Sequence, residues 1–417
     1  MKKLLLLALV VAGWFGTASA WNTMYLNCED NNWGSNGSLE FKWVDTNSYY
    51  YILSPDHITK GDFYFRFYAS WDNNNGGEDV APKSDGLAIT SVAISDVERN
   101  SKEGAFKIAK NEDAKFVAIY IYWANETWNL YSQVLTETTD VAFVNSQNWD
   151  NVYIYSWDNK VEMTGEWPGT KIGASTDGSF LKNLAFSANS MLIFNDGKDE
   201  NSISKTSDLT LVENGVYNAS GRVENVSANI GSLGYATFSS AYPVDFTEAT
   251  DVTAYRAEQT ASNEVLLKKV TGKVPAATGL VLKGSGEVTI PTTATGESVG
   301  TNNLIASVNA TTITPESGTS DYYYFLSGTN ASDVGFYLLA NSMTYTSDAG
   351  KAYYHASTPL KTTGATRATW IFEDETQGIN SVENAQNADV VYDLQGRAAK
   401  TAKAGLYIKD GKKYFVK

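Results

Sequence analysis

Residues 152–158 read VYIYSWD, and every second side chain in this stretch is a large aromatic ring. Successive side chains of a β-strand alternate between its two faces, so the aliphatic and small side chains between the rings would lie on the opposite face. The same period of two occurs at residues 117–123 (VAIYIYW) and 63–68 (FYFRFY). Turn signals such as Asp196-Gly197 separate these stretches. The alternation therefore predicts β-strands that each turn one face toward a core.

The same pattern extends along most of the 417 residues. We find no long amphipathic helical stretch and no repeated alternation of strands and helices, which a parallel α/β fold would require. The sequence therefore predicts an all-β fold of several β-sandwich (immunoglobulin-like) modules in series. Shifts in tryptophan content and charge divide it into modules at residues 21–136, 137–220 and 228–376 and a basic tail at residues 379–417.

The composition excludes several classes of function. A net charge of −15 and a pI near 4.7 oppose binding to nucleic acid or to an anionic membrane, both of which need a basic surface. One cysteine excludes an intramolecular disulfide framework, and two histidines leave little for a metal site. We expect no metal, no cofactor and no nucleic-acid partner. The unusual feature is the aromatic content, with 11 tryptophans and 25 tyrosines.

The first twenty residues have the pattern of a secretory signal peptide. Lys2 and Lys3 precede a short apolar stretch from Leu4 to Ala12, and small residues at 18–20 (ASA) supply a cleavage site. The apolar stretch is too short to predict a membrane span. We therefore expect residues 1–20 to be removed and the mature chain to be secreted or held at the cell surface.

No catalytic centre is predicted from the sequence. His57 and His355 are the two histidines, and neither lies near a nucleophile-elbow sequence. Two carboxylates suffice for glycoside hydrolysis, but the usual barrel scaffold for α-glucan hydrolysis needs about 250 residues of alternating strands and helices, and the sequence shows no such segment. We expect no catalytic residues. A glycosidase is the alternative that release of reducing sugar from starch would establish.

The rings of residues 152–158 suggest a surface for sugar. Tyr153, Tyr155 and Trp157 would lie on one face at intervals of roughly 7 Å, while the other face fills the core. The C–H face of a pyranose stacks on a flat aromatic ring, and tyrosine and tryptophan also carry a polar tip. Burial of roughly 50 Å² per ring at about 25 cal/mol/Å² gives on the order of 1 kcal/mol. Two or three rings with hydrogen bonds predict a dissociation constant of roughly 10 µM to 1 mM.

Trp167 favours this interpretation over one in which the rings only fill a core. It lies between Gly165 and the pair Pro168-Gly169, a turn-rich setting in which a large ring is more often exposed than buried.

The order of three motifs then resembles a known family. VYIYSWD at 152–158, GEWPGTK at 165–171 and IFNDG at 193–197 are similar, in this order, to the family-26 starch-binding modules of bacterial amylases. The resemblance covers Val141 to Tyr217. It implies a β-sandwich that binds α-1,4-glucans without metal or catalysis.

The resemblance also implies which residues contact sugar. Tyr153, Tyr155 and Trp167 match the aromatic residues that form the family's sugar platform. We add Trp157 from the same strand face, with Asp158 and Asn195 as hydrogen-bonding residues. The chain departs from the family pattern at residues 198–207, where Lys205-Thr206 stands near a position at which the family often has Gln-Thr.

The remaining modules carry weaker resemblances. The NWG turn at residues 32–34 and the strand at 61–68 are similar to surface glycan-binding lipoproteins of gut Bacteroidetes, which implies a second sugar site in residues 21–136. Residues 228–376 resemble an all-β spacer domain of secreted proteins from that phylum. Residues 379–417 are similar to C-terminal sorting domains, with an ordinary terminal sandwich as the alternative.

These observations together predict a secreted, non-catalytic protein that binds starch or a related α-1,4-glucan. Amylases and, through the C-terminal tail, the secretion machinery are the expected protein partners. Two alternatives remain open: a surface adhesin or protein-interaction protein whose aromatic residues are structural, and an accessory subunit of a glycoside hydrolase system.

Overall fold

The structure is a computed structural model. It describes residues 23–373, apart from internal stretches at 36–38, 46–47, 71–76, 83–84, 90, 94–102, 125–126, 200, 331 and 364–366, together with four strands between residues 391 and 416. The signal peptide predicted at residues 1–20 and most of the tail predicted at residues 379–417 lie outside the described residues. No helix in the described part is long and apolar enough to cross a membrane.

The first module, residues 23–135, consists of two sheets. One has the order β2-β1-β5-β9-β7, with β6 also paired to β5, and the other has the order β3-β4-β10-β11-β8. A 3₁₀ segment at Glu29–Gly34 and a short helix α1 at Asp56–Thr59 connect strands. The strands are β1 (Thr23–Cys28), β2 (Leu39–Glu40), β3 (Lys42–Asp45), β4 (Ser48–Leu53), β5 (Phe63–Ser70), β6 (Gly77–Val80), β7 (Leu87–Ala88), β8 (Ser91–Ala93), β9 (Phe106–Ile108), β10 (Phe116–Ala124) and β11 (Thr127–Leu135).

The core of the first module contains buried side chains from both sheets. Phe63, Phe65 and Phe67 of β5 alternate with more exposed residues and pack into this core, as the period of two predicts. Strand β10 differs, because both of its faces are covered. Its odd-numbered residues Val117 to Ile121 enter the same core, and its even-numbered residues enter a separate cluster described below.

The second module, residues 137–222, is also a pair of sheets. They have the orders β16-β12-β19-β20 and β14-β13-β17-β18, with β15 also paired to β13. Val141, Val152, Ile154, Phe194 and Tyr217 are members of its core. The strands are β12 (Glu137–Val144), β13 (Val152–Asp158), β14 (Val161–Glu162), β15 (Thr170–Ile172), β16 (Phe180–Phe186), β17 (Ser190–Asn195), β18 (Leu209–Thr210), β19 (Val216–Asn218) and β20 (Gly221–Arg222).

The third module, residues 225–372, has three layers rather than the two of a sandwich. Its sheets are β22-β27-β24-β25-β37, β29-β34-β31-β32-β36-β35 and the pairs β21-β28, β23-β26 and β30-β33. Its strands are β21 (Asn225–Ile230), β22 (Tyr235–Phe238), β23 (Val244–Asp245), β24 (Val252–Gln259), β25 (Val265–Val270), β26 (Lys273–Val274), β27 (Leu280–Gly284), β28 (Gly286–Pro291), β29 (Leu304–Ser307), β30 (Thr311–Ile313), β31 (Tyr322–Ser327), β32 (Gly335–Leu338), β33 (Tyr345–Ser347), β34 (Lys351–Ala356), β35 (Thr362–Thr363), β36 (Arg367–Ala368) and β37 (Trp370–Phe372).

The middle layer of this module contacts a core on each side. On β27, Leu280 and Leu282 face one core and Val281 faces the other. Three consecutive aliphatic residues fit a strand that is buried on both faces. The four strands after residue 390 form one sheet, in the order β39-β38-β40-β41, from β38 (Val391–Tyr392), β39 (Ala398–Ala399), β40 (Gly405–Lys409) and β41 (Lys412–Val416). The predicted all-β fold with several modules is therefore confirmed.

The first and second modules pack against each other through an apolar cluster, which we call the inter-module cluster. Its buried members are Tyr50, Phe116, Ala118, Tyr120 and Leu135 of the first module and Val161 of the second. A sheet face that would otherwise be exposed is thereby covered. Contacts between the second and third modules include a hydrogen bond of 2.8 Å from Asn218 Nδ2 to the hydroxyl of Tyr242.

Candidate functional site

Strand β13 separates core side chains from surface rings. Val152 and Ile154 are fully buried in the core of the second module. Tyr153, Tyr155 and Trp157 lie on the other face and are half-buried. The alternation predicted from the sequence is therefore present, and the three rings remain partly accessible to solvent.

Three of the predicted rings form a continuous surface. The ring centroid of Tyr155 lies 5.3 Å from that of Trp167, with the two planes at 75°, and 5.4 Å from that of Trp157, with the planes at 36°. We call Tyr155, Trp157 and Trp167 the aromatic platform. Its rings are inclined to one another, so it offers a curved rather than a flat stacking surface.

Tyr153 lies beside the platform on the same strand face. It pairs with Asn195 and Lys171 on the neighbouring strands. Its ring packs on Gly197, whose φ is +70° and where a Cβ atom would collide with the ring. The Asp196-Gly197 turn therefore brings its backbone close to Tyr153 because it carries glycine.

A tight turn holds Trp167 against β13. Gly169 has a φ of +91°, and a Cβ atom there would collide with the carbonyl oxygen of Ile154. The Gly169 N–H also donates a hydrogen bond of 2.6 Å to the carbonyl of Glu166. Only glycine allows this approach without strain, so the turn fixes the ring of Trp167 next to Tyr155.

Asn195 supports this turn from inside the module. It is fully buried; its side-chain nitrogen donates to the carbonyl of Pro168 at 3.0 Å, and its side-chain oxygen accepts the N–H of Gly197 at 2.9 Å. Direct contact with a sugar, as expected from the sequence, is inconsistent with this burial. Asn195 instead positions the turn that carries Trp167.

Asp158 is likewise enclosed by protein. It is 1% exposed, and its carboxylate accepts hydrogen bonds from Gln133 at 2.7 Å and from Ser187 and Ser190 at 2.5 Å each. The expectation that Asp158 bonds a sugar is therefore also inconsistent with the structure, because its oxygens are turned inward. Since Gln133 belongs to the first module, Asp158 instead helps to hold the two modules together.

The hydroxyl of Tyr155 is bound at the boundary between the modules. It donates to Glu162 at 2.8 Å, and the hydroxyl of Tyr50 in the first module donates to the same carboxylate at 2.9 Å. Lys42 of the first module forms an ion pair with Glu162 and lies 3.3 Å from Glu166, the residue before Trp167. The first module therefore contacts both the strand and the turn of the platform.

The electrostatics of this cluster follow from its contacts. Burial raises the pKa of Glu162, but the hydrogen bonds from Lys42, Tyr155 and Tyr50 outweigh burial, so the pKa lies below its ordinary value. Burial and the neighbouring Glu162 raise the pKa of Tyr155 well above its ordinary value. At neutral pH the carboxylate is therefore charged and the tyrosine keeps its proton.

The departure from the family pattern at residues 198–207 has a defined position. Thr206 is buried and its hydroxyl accepts the N–H of Phe194 at 3.1 Å. The ammonium nitrogen of Lys205 lies 5.2 Å from the ring centroid of Trp167. Lys205 thus adds a cationic hydrogen-bond donor over the ring of Trp167.

Sequence reasoning missed four residues of this site: Lys42, Tyr50, Glu162 and Glu166. Glu166 is adjacent to Trp167 in the GEWPGTK motif at residues 165–171, and its charge is the signal that could have identified it. Lys42 and Tyr50 lie more than a hundred residues away in another module, so no local pattern connects them with the site.

Comparison with known proteins gives a match to a segment of the second module. A family model described as starch-binding module 26 matches residues 141–206. No solved structure matches the chain. The matched segment includes the aromatic platform and Lys205, and it indicates binding of starch or another α-glucan.

Proposed function

We propose that the chain is a secreted, non-catalytic protein whose aromatic platform binds starch or a related α-1,4-glucan. The observation that carries the proposal is the cluster of Tyr155, Trp157 and Trp167, which lies within the segment that matches a starch-binding module. Inclined rings suit an α-glucan, whose chain curves, better than a flat β-glucan sheet. Tyr153 extends the same surface along β13.

The polar groups around the rings complement the hydroxyls of a glucan. Lys205 supplies donors over the ring of Trp167, and Glu166, the residue before Trp167, supplies acceptors. Each stacked sugar contributes on the order of 1 kcal/mol, so the platform rings together with these hydrogen bonds give a dissociation constant of roughly 10 µM to 1 mM. Binding to a polymer then depends on repeated weak contacts.

The wider setting belongs to the same proposal. Residues 1–20 direct export, amylases that act on the same polymer are partners, and the basic tail at residues 379–417 engages secretion machinery. Fractionation of producing cells checks the first part. Starch-binding chain that stays in the cytosol would contradict export without affecting the binding site.

Affinity electrophoresis in gels with soluble starch tests the binding site. The full mature chain should be retarded, and Trp167→Ala should be retarded about fivefold less, because it loses one stacked ring that contributes on the order of 1 kcal/mol. Trp167→Phe keeps a flat ring and should be retarded at an intermediate level. Trp43→Ala is the matched control: this tryptophan is 57% exposed on β3 of the first module and is not part of the aromatic platform, so its removal should leave retardation unchanged.

Two outcomes would contradict the proposal. Equal retardation of wild type and Trp167→Ala would place binding elsewhere in the chain. Absence of retardation in the wild type, together with no heat on titration of maltoheptaose, amylose or pullulan, would mean that the rings are structural and would favour a protein partner.

A further inference from the structure

The first module contains a cavity that the platform does not use, which we call the Trp33 cavity. It has a volume of about 470 Å³ and is lined by Trp33, Tyr64 and four carboxylate residues, Glu29, Asp30, Asp62 and Asp85. Volumes of about 300–1,000 Å³ are usual for sites that hold small molecules. Its aromatic residues belong to or adjoin the β1–β5 sheet, whereas the second module packs on the β4–β10 sheet. The Trp33 cavity is therefore separate from the aromatic platform.

The backbone holds Trp33 out of the core. Asn32 and Trp33 have φ values of 48° and 56°, a left-handed conformation that residues other than glycine rarely adopt. The buried side chain of Asn31 fixes this turn: it accepts N–H groups of Cys28 at 3.0 Å and Gly34 at 3.2 Å and donates to Leu26 at 2.8 Å. Trp33 remains 37% exposed as a result.

Tyr64 contributes a second accessible ring. It lies on β5 between Phe63 and Phe65, which enter the core, so its own side chain points to the outer face and is 39% exposed. Arg66, two residues further on the same face, lies 5.1 Å from the ring centroid of Trp33. The rings of Trp33 and Tyr64 are therefore both accessible and both line the same cavity.

The carboxylates of the cavity are anchored but keep acceptor capacity. Asp30 lies 2.6 Å from Nε2 of His57, and Asp62 accepts the N–H of Lys110 at 2.8 Å and pairs with Lys107 at 3.1 Å. A carboxylate offers about four lone-pair positions, so each can also accept sugar hydroxyls. Their negative charge disfavours binding of an anionic sugar such as a uronic acid or a sulfated sugar.

We propose that the Trp33 cavity is a second saccharide site that takes a short segment of neutral α-glucan. The identity of the sugar rests on the proposed function of the platform, whereas the site itself rests on the cavity, its two rings and its acceptors. One molecule then holds a glucan polymer at two points. Two linked weak sites bind a polymer about 10²–10⁴ times more tightly than one when geometry allows both to engage.

Fluorine NMR of the full mature chain labelled with 5-fluorotryptophan tests the site, because each tryptophan gives its own signal. Trp33→Phe assigns the Trp33 signal, and maltoheptaose, cellohexaose and trigalacturonate are the probes. We expect the Trp33 signal to shift with maltoheptaose, both in the wild type and in Trp167→Ala, and to stay in place with trigalacturonate. Tyr64→Ala should weaken this response about fivefold, the effect of one lost stacking contact.

The outcomes separate this inference from the proposed function. If Trp167 responds to maltoheptaose and Trp33 does not move with any probe up to about 20 mM, well above the expected dissociation constant, the cavity is not a saccharide site and the platform proposal stands. If Trp33 responds to maltoheptaose while Trp167 does not, the Trp33 cavity is a saccharide site and the proposal for the aromatic platform fails. A response of Trp33 to trigalacturonate, or to cellohexaose alone, would overturn the assignment to neutral α-glucan. Tyr64→Ala leaves the strained turn intact, so it tests the site even where changes at Trp33 impair folding.

Discussion

Replacement of Lys42 by methionine tests whether the first two modules stabilise each other. The side chains of Lys42 and Glu162 are 32% and 20% exposed, so the contribution of their ion pair to stability should lie between that of an exposed pair and that of a buried pair. Exposed pairs contribute about 0–1 kcal/mol, and breaking a buried pair costs about 3–5 kcal/mol. We expect Lys42→Met to lower the free energy of unfolding by about 1–2 kcal/mol. This corresponds to a decrease of roughly 2–8 °C in the midpoint of the corresponding thermal transition.

The loss of stability in Lys42→Met should become smaller as the pH falls. Although burial raises the pKa of Glu162, hydrogen bonds from Lys42, Tyr155 and Tyr50 lower it below the ordinary value. A carboxylate whose pKa is lower in the folded than in the unfolded state stabilises the fold above the unfolded pKa of about 4.3. That stabilisation disappears as the pH falls through the folded pKa. The difference between wild type and Lys42→Met should therefore be complete above about pH 5 and shrink below about pH 4.

Differential scanning calorimetry at several pH values measures the effect, and starch gels report whether the platform moves with it. We expect retardation of Lys42→Met to weaken a few-fold, because Glu166 loses its cation and so does Glu162, which accepts the hydrogen bond of Tyr155. Lys160→Met is the matched control: its pair with Asp45 spans the same two modules at 2.8 Å, but the side chains are 57% and 42% exposed. Its effect should stay below about 1 kcal/mol. Lys42→Met that unfolds at the wild-type temperature at pH 7 and binds starch equally well would refute this reasoning.

Three further changes give distinct expectations. Gln133→Ala removes one donor to the buried carboxylate of Asp158 and should lower the free energy of unfolding by about 1–3 kcal/mol, measured by urea denaturation, with little change in starch affinity. Asn195→Ala releases the turn of Trp167 and should reduce starch retardation; unchanged retardation would mean that the turn keeps its position without this support. Gly169→Ala should reduce retardation as strongly as loss of Trp167, because the turn cannot approach β13 with a Cβ atom. Circular dichroism shows whether the rest of the Gly169→Ala chain stays folded.

The fold class could be predicted because its signal is local. The alternation at residues 152–158 and 63–68 reflects which side of a strand is buried, and the structure reproduces it at both places. The three layers of the third module could not be predicted in this way. A run such as Leu280 to Leu282 shows that a strand is buried on both faces, but it does not show what covers each face.

The rings of the site were predictable, whereas its polar residues were not. Tyr155, Trp157 and Trp167 follow from strand alternation and from the glycine-rich turn. Asp158 and Asn195 are polar residues next to aromatic ones, and the sequence alone does not reveal that their side chains turn inward. Burial of a polar side chain depends on its partners, and these come from distant segments of the chain.

The inter-module cluster has a consequence for how the second module can be transferred to another protein, by evolution or by engineering. The family match begins at residue 141, yet Val161 of the matched segment is packed against Tyr50, Phe116 and Tyr120 of the preceding module. A gene fragment cut at the match would expose that apolar face and leave Glu162 without its cation. The smallest unit that keeps these contacts is therefore residues 23–222, and recombination that preserves the aromatic platform has to carry both modules together.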